Sequence, residues 1–482
     1  MTPRPLTATE IAEAVAARRL TAADALAACA ARHEETHVDL NALVQPRLAA
    51  AAAEARAVDA GRAGRLAGVP VSVKECFAVR GLKTTLGIPD RRDATDAADA
   101  EIVTRLRRAG AVIVGKANVP QAMFLHETDN PVWGRTNHPT AADRGPGGSS
   151  GGDAALVAAG VVPLAVGNDL AGSLRQPANA CGVAALVPRF TALGGGGAFE
   201  TLPGLKVVRS RAGFLSRSVA DLGRAVEALG VEVGPVPGRL RIGSWDEAGP
   251  VGASAAVRRA TALAVARLQA AGAEIVPLDG SLAVEAAWLH LAILGADGGA
   301  DIRRLLGAAR PIPGVGRLLR LAQLSGAWRR GLATLARLVG SRIESEALLR
   351  TGPRTAWEMA GLIAAREALR ARFTRLVSGL DAVVCPVSAL PALPHGSAAR
   401  LVLAAMPCFL ANLLDLAAGA VPGTVVRPDE EGQRPRSGDP VLVAAAATDR
   451  GSRGLPVGVQ VIAPPRVGEA VVLAAMAVIE SG

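Results

Sequence analysis

Two serines in glycine-rich loops and one lysine at the end of an apolar run are the residues best suited to chemistry. The run GPGGSSGG at 145–152 holds five glycines in eight residues and carries Ser149 and Ser150. Glycine lets the backbone take turns closed to other residues and approach a ligand closely, so both hydroxyls are open to whatever binds there. A flexible Gly/Ser linker has the same composition. A phosphate-binding loop needs Gly-Lys-Ser/Thr at its end, and this run ends in Gly152-Asp153. Residues 147–151 fit the GxSxG pattern of a nucleophile elbow, which requires a strand just before it. The preceding residues 138–144 (HPTAADR) are polar and offer none.

A second serine loop, GNDLAGSLRQP at 167–177, carries Ser173. The small residues Ala171 and Gly172 leave consecutive backbone N–H groups free ahead of Ser173, an arrangement that can hold an oxyanion. Asp169 and Arg175 flank the turn and can steady it as a charge-assisted pair. A serine nucleophile needs a base, and the six histidines do not announce one. His33, His37 and His395 fall in surface segments, His290 in a helix, and His126 and His138 in loops. Lys74 is the better candidate, because it closes the apolar run GVPVSVK at 68–74. Burial disfavours an ammonium and lowers its pKa, and serine–lysine pairs are a known variant of the triad. The alternative is that Lys74 pairs with Glu75 at the surface.

These residues need elements to position them. Thr7-x-x-Glu10 and Thr21-x-x-Asp24 look like capping boxes opening alanine-rich helices, and a third helix is expected over 48–58. Short apolar runs at 69–73, 111–115 and 161–166 read as buried strands, alternating with helices at 99–109 and 151–159. A second such stretch has strands at 240–245 and 273–278 around a helix at 254–271, with Ser254 as its N-cap. Residues 281–379 read as almost wholly helical. Strands return at 382–387 and 457–462, and a helix over 469–479 closes the chain. This alternation indicates an α/β fold with a parallel or mixed sheet. Residues 1–65 form N-terminal helices, and 66–482 one catalytic domain with a helical insertion at about 281–379.

Composition excludes several classes. The 482 residues are 50% hydrophobic, enough for a large core. The net charge of +10 is carried almost wholly by arginine, since only Lys74, Lys83, Lys116 and Lys206 are lysines. With five Trp, seven Phe and no Tyr, and no basic–aromatic cluster, nucleic-acid binding is not expected. Neither HExxH nor a Cys/His pair at ligand spacing occurs, so no metal and no cofactor is expected. The five cysteines are scattered and the N-terminus lacks the apolar core of a secretory signal, so a cytoplasmic protein with reduced thiols is expected.

Five segments in order make the chain resemble the amidase signature family. They are GVPVSVKE with GLKTTLG (68–87), GKANVPQAMFLHETDNPVWGRTNHP (115–139), GPGGSSGG (145–152), GNDLAGSLRQPANACG (167–182) and GLPVGVQVIAP (454–464). LDAVVCPVSALPA (380–392) is a weaker sixth. The resemblance implies a mixed, twisted β-sheet core flanked by helices on both faces, and hydrolysis of amide bonds through an acyl-enzyme. It implies Ser173 as nucleophile, Ser149 (held by a cis peptide in relatives) as proton relay, and Lys74 as general base. The N–H groups of Leu170, Ala171, Gly172 and Ser173 would form the oxyanion hole. Ser150, Asp169 and Arg175 would support the loops, and Ala122, Met123 and Ser149 would contact a small-molecule amide substrate.

The chain departs from the family pattern at Asn168, where Thr is usual, at Ala171, where Gly is usual, in Ala185–Arg189 (ALVPR for GLKPT), and at Asp415. Asp415 facing the pocket would select a substrate amine; otherwise it is solvated. These departures leave room for a non-hydrolytic amidotransferase or scaffold subunit, or an amide-forming acyltransferase of specialised metabolism. The basic segment 314–342 places Leu318, Leu321, Trp328, Leu332 and Leu335 near one helical face among arginines. It is expected either to pack on the catalytic domain, capping an acyl channel, or to touch an anionic membrane. A homodimer is one oligomeric state left open.

Overall fold

The computed structural model describes residues 4–465 and 467–482. Its core is an eleven-stranded mixed sheet flanked by helices. The strands are β1 (Leu43–Pro46), β2 (Pro70–Lys74), β3 (Val112–Ala117), β6 (Leu164–Asp169), β7 (Ala184–Val187), β8 (Arg211–Ser216), β9 (Arg241–Ser244), β10 (Glu274–Pro277), β11 (Ala382–Pro386), β12 (Ala418–Val425) and β13 (Pro456–Ile462). A separate two-stranded ribbon pairs β4 (Asp129–Asn130) with β5 (Gly134–Arg135). The order in the main sheet is β1-β3-β2-β6-β8-β7-β12-β13-β11-β9-β10.

Two parallel groups, β3-β2-β6 and β11-β9-β10, are joined by the antiparallel strands β8, β7, β12 and β13. Every residue of β2, β3 and β6 is buried. Sheets covered on both faces favour such continuous apolar runs.

The expected elements mostly form, with instructive exceptions. Residues 1–65 hold the helices Ala8–Ala16, Ala22–Leu40 and Leu48–Asp59, and also the edge strand β1, which pairs with β3. The Thr7–Glu10 capping box is complete. The one at Thr21 is half formed: its hydroxyl accepts from the Asp24 amide, while the Asp24 carboxylate, one methylene shorter than Glu, takes the Thr21 hydroxyl at 2.6 Å. The strand expected at 161–166 begins only at Leu164, after Pro163, and runs to Asp169; proline has no N–H to give a ladder.

The segment 281–379 forms six helices, Ser281–Leu294, Ala300–Leu306, Pro313–Ala322, Gly326–Leu338, Arg342–Arg350 and Ala356–Leu376. The segment 314–342 is therefore not one helix with a leucine face. It breaks after Ala322, and in the following helix the buried residues are Arg329 and Ala333, while Trp328 is 71% exposed. Arg329 turns inward because its Nε donates to the Leu348 carbonyl at the C-terminal turn of the next helix, at 3.1 Å. Such carbonyls lack helical partners and attract cationic donors.

Candidate active site

The site lies where the parallel strands β2 and β6 end side by side, the usual position of ligands in open α/β sheets. Lys74 is the last residue of β2, and Asn168 and Asp169 are the last two of β6. Adjacent parallel strands in register (Val73 opposite Val166) bring these ends together. Gly145–Gly152 then crosses in front. It is buried throughout rather than flexible, and the Gly148–Ser149 peptide is cis. Close approach accounts for the glycines: a Cβ on Gly152 would stand 2.4 Å from the Asn118 backbone nitrogen.

Lys74 is fully buried. Its Nζ lies 2.7 Å from Ser149 Oγ, 2.6 Å from Asn168 Oδ1 and 3.4 Å from the Asn168 carbonyl oxygen. None of these partners is charged. Burial lowers the Lys74 pKa, with Cys76, Asp153 and Asp169 pulling the other way. Glu75 faces elsewhere: its carboxylate accepts from the Thr85 amide, the Thr85 hydroxyl and the Leu86 amide at 2.5, 2.7 and 2.9 Å. The surface pair of Lys74 with Glu75 thus does not form.

Asp169 and Arg175 are both fully buried and paired at 3.0 Å. Burial alone would raise the Asp169 pKa, but the charge and hydrogen bonds of Arg175, with Arg211 adding, hold it well below the usual carboxylate range. Asp169 also accepts from the Gly172 and Leu174 amides at 2.8 and 3.0 Å and from Asn412 Nδ2 at 2.9 Å. The guanidinium of Arg175 further donates to the Cys408 carbonyl and to Gln460, both at 3.0 Å. Gly172 sits at φ +87°, and a Cβ there would stand 2.9 Å from the Cys408 Cβ. The turn carrying Ser173 is therefore pinned from inside, and the Ser150 amide ties it to the glycine loop by donating to the Ser173 carbonyl at 3.0 Å.

Ser149, Ser173, Asn168 and Ala171 open onto a cavity of about 480 Å3. Its far wall is apolar, with Leu205, Leu291, Ile302, Leu319, Ile343 and Phe409. The helices of 281–379 supply much of that wall, including Leu318 and Leu321.

The sequence matches the family described as Amidase over residues 24–472. The chain belongs to the amidase signature family. It is 32% identical over 444 residues to fatty-acid amide hydrolase 1 of Sus scrofa, covering 86% of this chain and 75% of that one. It is 30% identical to fatty acid amide hydrolase 1 of Caenorhabditis elegans, covering 84% and 75%. A solved fatty acid amide hydrolase superposes with a TM-score of 0.81 over 99% of this chain and 86% of that one; at 22% identity this shows the shared fold. Membership places the protein among the hydrolases of carbon–nitrogen bonds.

Within this amidase the expected residues do not all land where the family pattern put them. The Gly172 amide is bound to Asp169, which withdraws it from the expected oxyanion donors. The amides of Leu170, Ala171 and Ser173 donate to no acceptor among the described residues. Ala122 does not reach the cavity: its side chain is fully buried, its amide donates to Leu86 and its carbonyl accepts from Thr201. Met123 does line it. Asp415 lies outside it; its carboxylate accepts from the Phe190 amide at 2.9 Å and stands 3.5 Å from Arg211.

Two neighbours, His126 and Asp153, were not singled out from sequence, and a third, Asn168, was noted there only as a departure from the family pattern. Asn168 supplies both oxygens nearest Lys74 apart from Ser149, and its one visible signal is that it stands where Thr is usual. His126 lines the cavity and its Nε2 lies 2.9 Å from the Ala171 carbonyl, to which it donates; burial lowers its pKa, favouring the neutral ring. Asp153 lies beneath Lys74, with one oxygen accepting from Ser72 Oγ at 2.8 Å and the other unpartnered among the described residues. Burial raises its pKa to about 7, against the pull of Ser72 and Lys74. No spacing rule points to His126 or Asp153, because each is brought in by tertiary packing.

Proposed function

We propose that the protein is a cytoplasmic, cofactor-independent amidase that cleaves an acyl-chain amide through an acyl-enzyme on Ser173, with Ser149 and Lys74 relaying the proton. The observation that carries this reading is that the buried Lys74 amine has no charged group among its hydrogen-bond partners. An ammonium has three donors and no lone pair. A neutral amine with its two hydrogens on the Oδ1 and carbonyl oxygen of Asn168 keeps its lone pair for the Ser149 hydroxyl.

In this mechanism Lys74 takes the Ser149 proton as Ser149 takes that of Ser173, and Ser173 Oγ attacks the substrate carbonyl carbon. The free amides of Leu170, Ala171 and Ser173 meet the developing oxyanion, each such donor being worth about 3–4 kcal/mol where measured. Collapse breaks the C–N bond while the proton returns through Ser149 to the departing nitrogen. Water, deprotonated by the same relay, then releases the acid and restores Ser173.

The apolar cavity and the activity named for the fatty-acid amide hydrolase relatives support an acyl chain as the acid portion. With about 0.8 kcal/mol per buried methylene, kcat/KM is expected to rise with chain length across n-acyl amides until the cavity is filled. A flat series removes the acyl-chain assignment. A fluorophosphonate probe tests the chemistry by intact mass: one adduct on the wild type, none on Ser173→Ala and slow labelling of Lys74→Ala are expected. An unlabelled wild type overturns the reading and favours a non-hydrolytic subunit. Product made from added amine in preference to acid instead identifies an acyltransferase.

We also propose that Trp328, Leu335, Leu338 and Val339, all exposed and flanked by exposed Arg330 and Arg337, rest on an anionic membrane surface. Among the described residues no helix is long and apolar enough to cross a membrane. Co-sedimentation with anionic vesicles, lost in Trp328→Glu/Leu338→Glu, is the expected result; wild-type protein wholly in the supernatant overturns it.

A further inference from the structure

A second cavity, of about 600 Å3, lies behind the turn that carries Ser173. Its size is that of an ordinary small-molecule site. Asn412 lines it, the residue whose amide holds Asp169. Its other walls come from elements far apart in sequence: Arg189 and Phe190, the segment 206–209, and Arg366 and Arg370 of the helix Ala356–Leu376. Among the described residues five cations therefore converge, Arg189, Lys206, Arg209, Arg366 and Arg370, and Asp415 is the one carboxylate lining the space.

Asp415 is already engaged by the Phe190 amide and by Arg211. Two further carboxylates reach in from outside. Glu469 pairs with Arg189 at 3.4 Å, and Glu367 with Arg366 at 2.6 Å, standing 3.6 Å from Arg370. Lys206 and Arg209 have no carboxylate within ion-pair distance among the described residues. The guanidinium carbon of Arg209 instead lies over the Phe190 ring, 3.5 Å from its centroid, and its N–H groups have no hydrogen-bond acceptor among the described residues. Burial first, and then the nearby charge of Arg370, lower the Arg366 pKa, while Glu367 and Asp415 oppose them.

We propose that this cavity is a binding site for the phosphate or diphosphate group of a small soluble molecule. Planar guanidinium forks match phosphate oxygens in pairs, and an anion carrying two or more charges neutralises the excess that the surrounding carboxylates leave. The site is independent of the hydrolytic assignment, since none of its cations touches the acyl cavity.

Calorimetric titration of the full chain with inorganic pyrophosphate, at ionic strength matched with sodium chloride, tests it. Saturable binding is expected, weakened about tenfold or more in Arg209→Ala/Arg370→Ala, as loss of charge-assisted hydrogen bonds implies. These residues are exposed or half-exposed, so the variant is expected to keep the wild-type circular dichroism and melting temperature without ligand. Lys206→Glu provides a second variant with the same expected loss. Heat no larger than that of chloride, or saturable binding unchanged in both variants, overturns the proposal.

Discussion

Lys74 and Lys116 lie on the adjacent parallel strands β2 and β3, both fully buried, and each Nζ has three oxygen neighbours. Those of Lys116 are the Lys83 carbonyl at 2.7 Å, Thr84 Oγ1 at 2.6 Å and the Asp96 carboxylate at 2.9 Å. Those of Lys74 are two hydroxyl or amide side-chain oxygens and a carbonyl, without a carboxylate. Burial lowers both pKa values and nearby acidic groups oppose the shift at each, Glu75 and Asp96 at Lys116 and Cys76, Asp153 and Asp169 at Lys74, but only at Lys116 is a carboxylate bonded directly to the amine. The same residue type at the same depth is thus a structural cation on one strand and a candidate base on the next. The counter-charge separates the two, and burial by itself does not.

Replacing each lysine should separate these roles, and the largest effect belongs to Lys74. In Lys74→Ala, kcat for an acyl amide is expected to fall about 10²–10⁴-fold, the range for losing a general base, with the fold retained by circular dichroism. In the wild type, kcat/KM should rise with pH through the Lys74 pKa, because the neutral amine is the active form, and that limb should vanish in the variant. A variant within a few-fold of wild type would erase the distinction between the two lysines.

Lys116→Met is expected to do the reverse. Breaking a buried pair while leaving its carboxylate costs about 3–5 kcal/mol, read as a lower urea midpoint, with kcat of the folded enzyme little changed. Asp96→Asn added to Lys116→Met should recover part of the loss, since it removes the stranded charge. A stable Lys116→Met with ruined kcat would make Lys116 part of the chemistry.

The pairing of these lysines also shows how far the sequence could be followed. GVPVSVK and AVIVGK are nearly the same pattern, an apolar run ending in lysine, and periodicity predicts a buried strand for each. Nothing in either run says which lysine meets a hydroxyl and which a carboxylate. Ser149 and Asp96 are distant in sequence: the apolar run made Lys74 a candidate base, and the family resemblance supplied its partner serines. The parallel strands were legible because they are rich in β-branched residues and covered on both faces. Of the antiparallel strands joining the two halves, β13 was legible and three were not: RAGFLS, AALV and AGAVPGTV of β8, β7 and β12 are rich in Ala and Gly, with weak strand propensity, and hold by pairing on both sides. Likewise the segment 206–209 and Arg366, which meet in the second cavity, lie far apart along the chain.

Asn168 bears on the comparison from the side of orientation. If it receives the two amine hydrogens, Asn168→Ala frees the amine to rotate its lone pair off Ser149. An intermediate loss, about 10–100-fold in kcat with KM nearly constant, is expected for one positioning hydrogen bond of about 1.5–3 kcal/mol. Asn168→Thr, which restores the residue usual in relatives, should recover most of it. Equal losses in both variants would point to simple packing.

The smallest expected effect comes from Asp153, and it concerns pH. Its folded pKa of about 7 lies above the reference 3.8, because burial disfavours the carboxylate. The folded state therefore holds this proton more tightly than the unfolded chain. The stabilising contribution is complete below about pH 4, is lost as the pH rises toward 7, and is absent above that. Asp153→Asn has no proton to lose. Its urea midpoint should accordingly change less between pH 5 and pH 8 than that of the wild type, with the two proteins diverging on the alkaline side. If the two curves run parallel, Asp153 is ionised throughout and forms a charge pair with Lys74. In that case Lys74 has the same kind of counter-ion as Lys116, and the contrast between the two strands disappears.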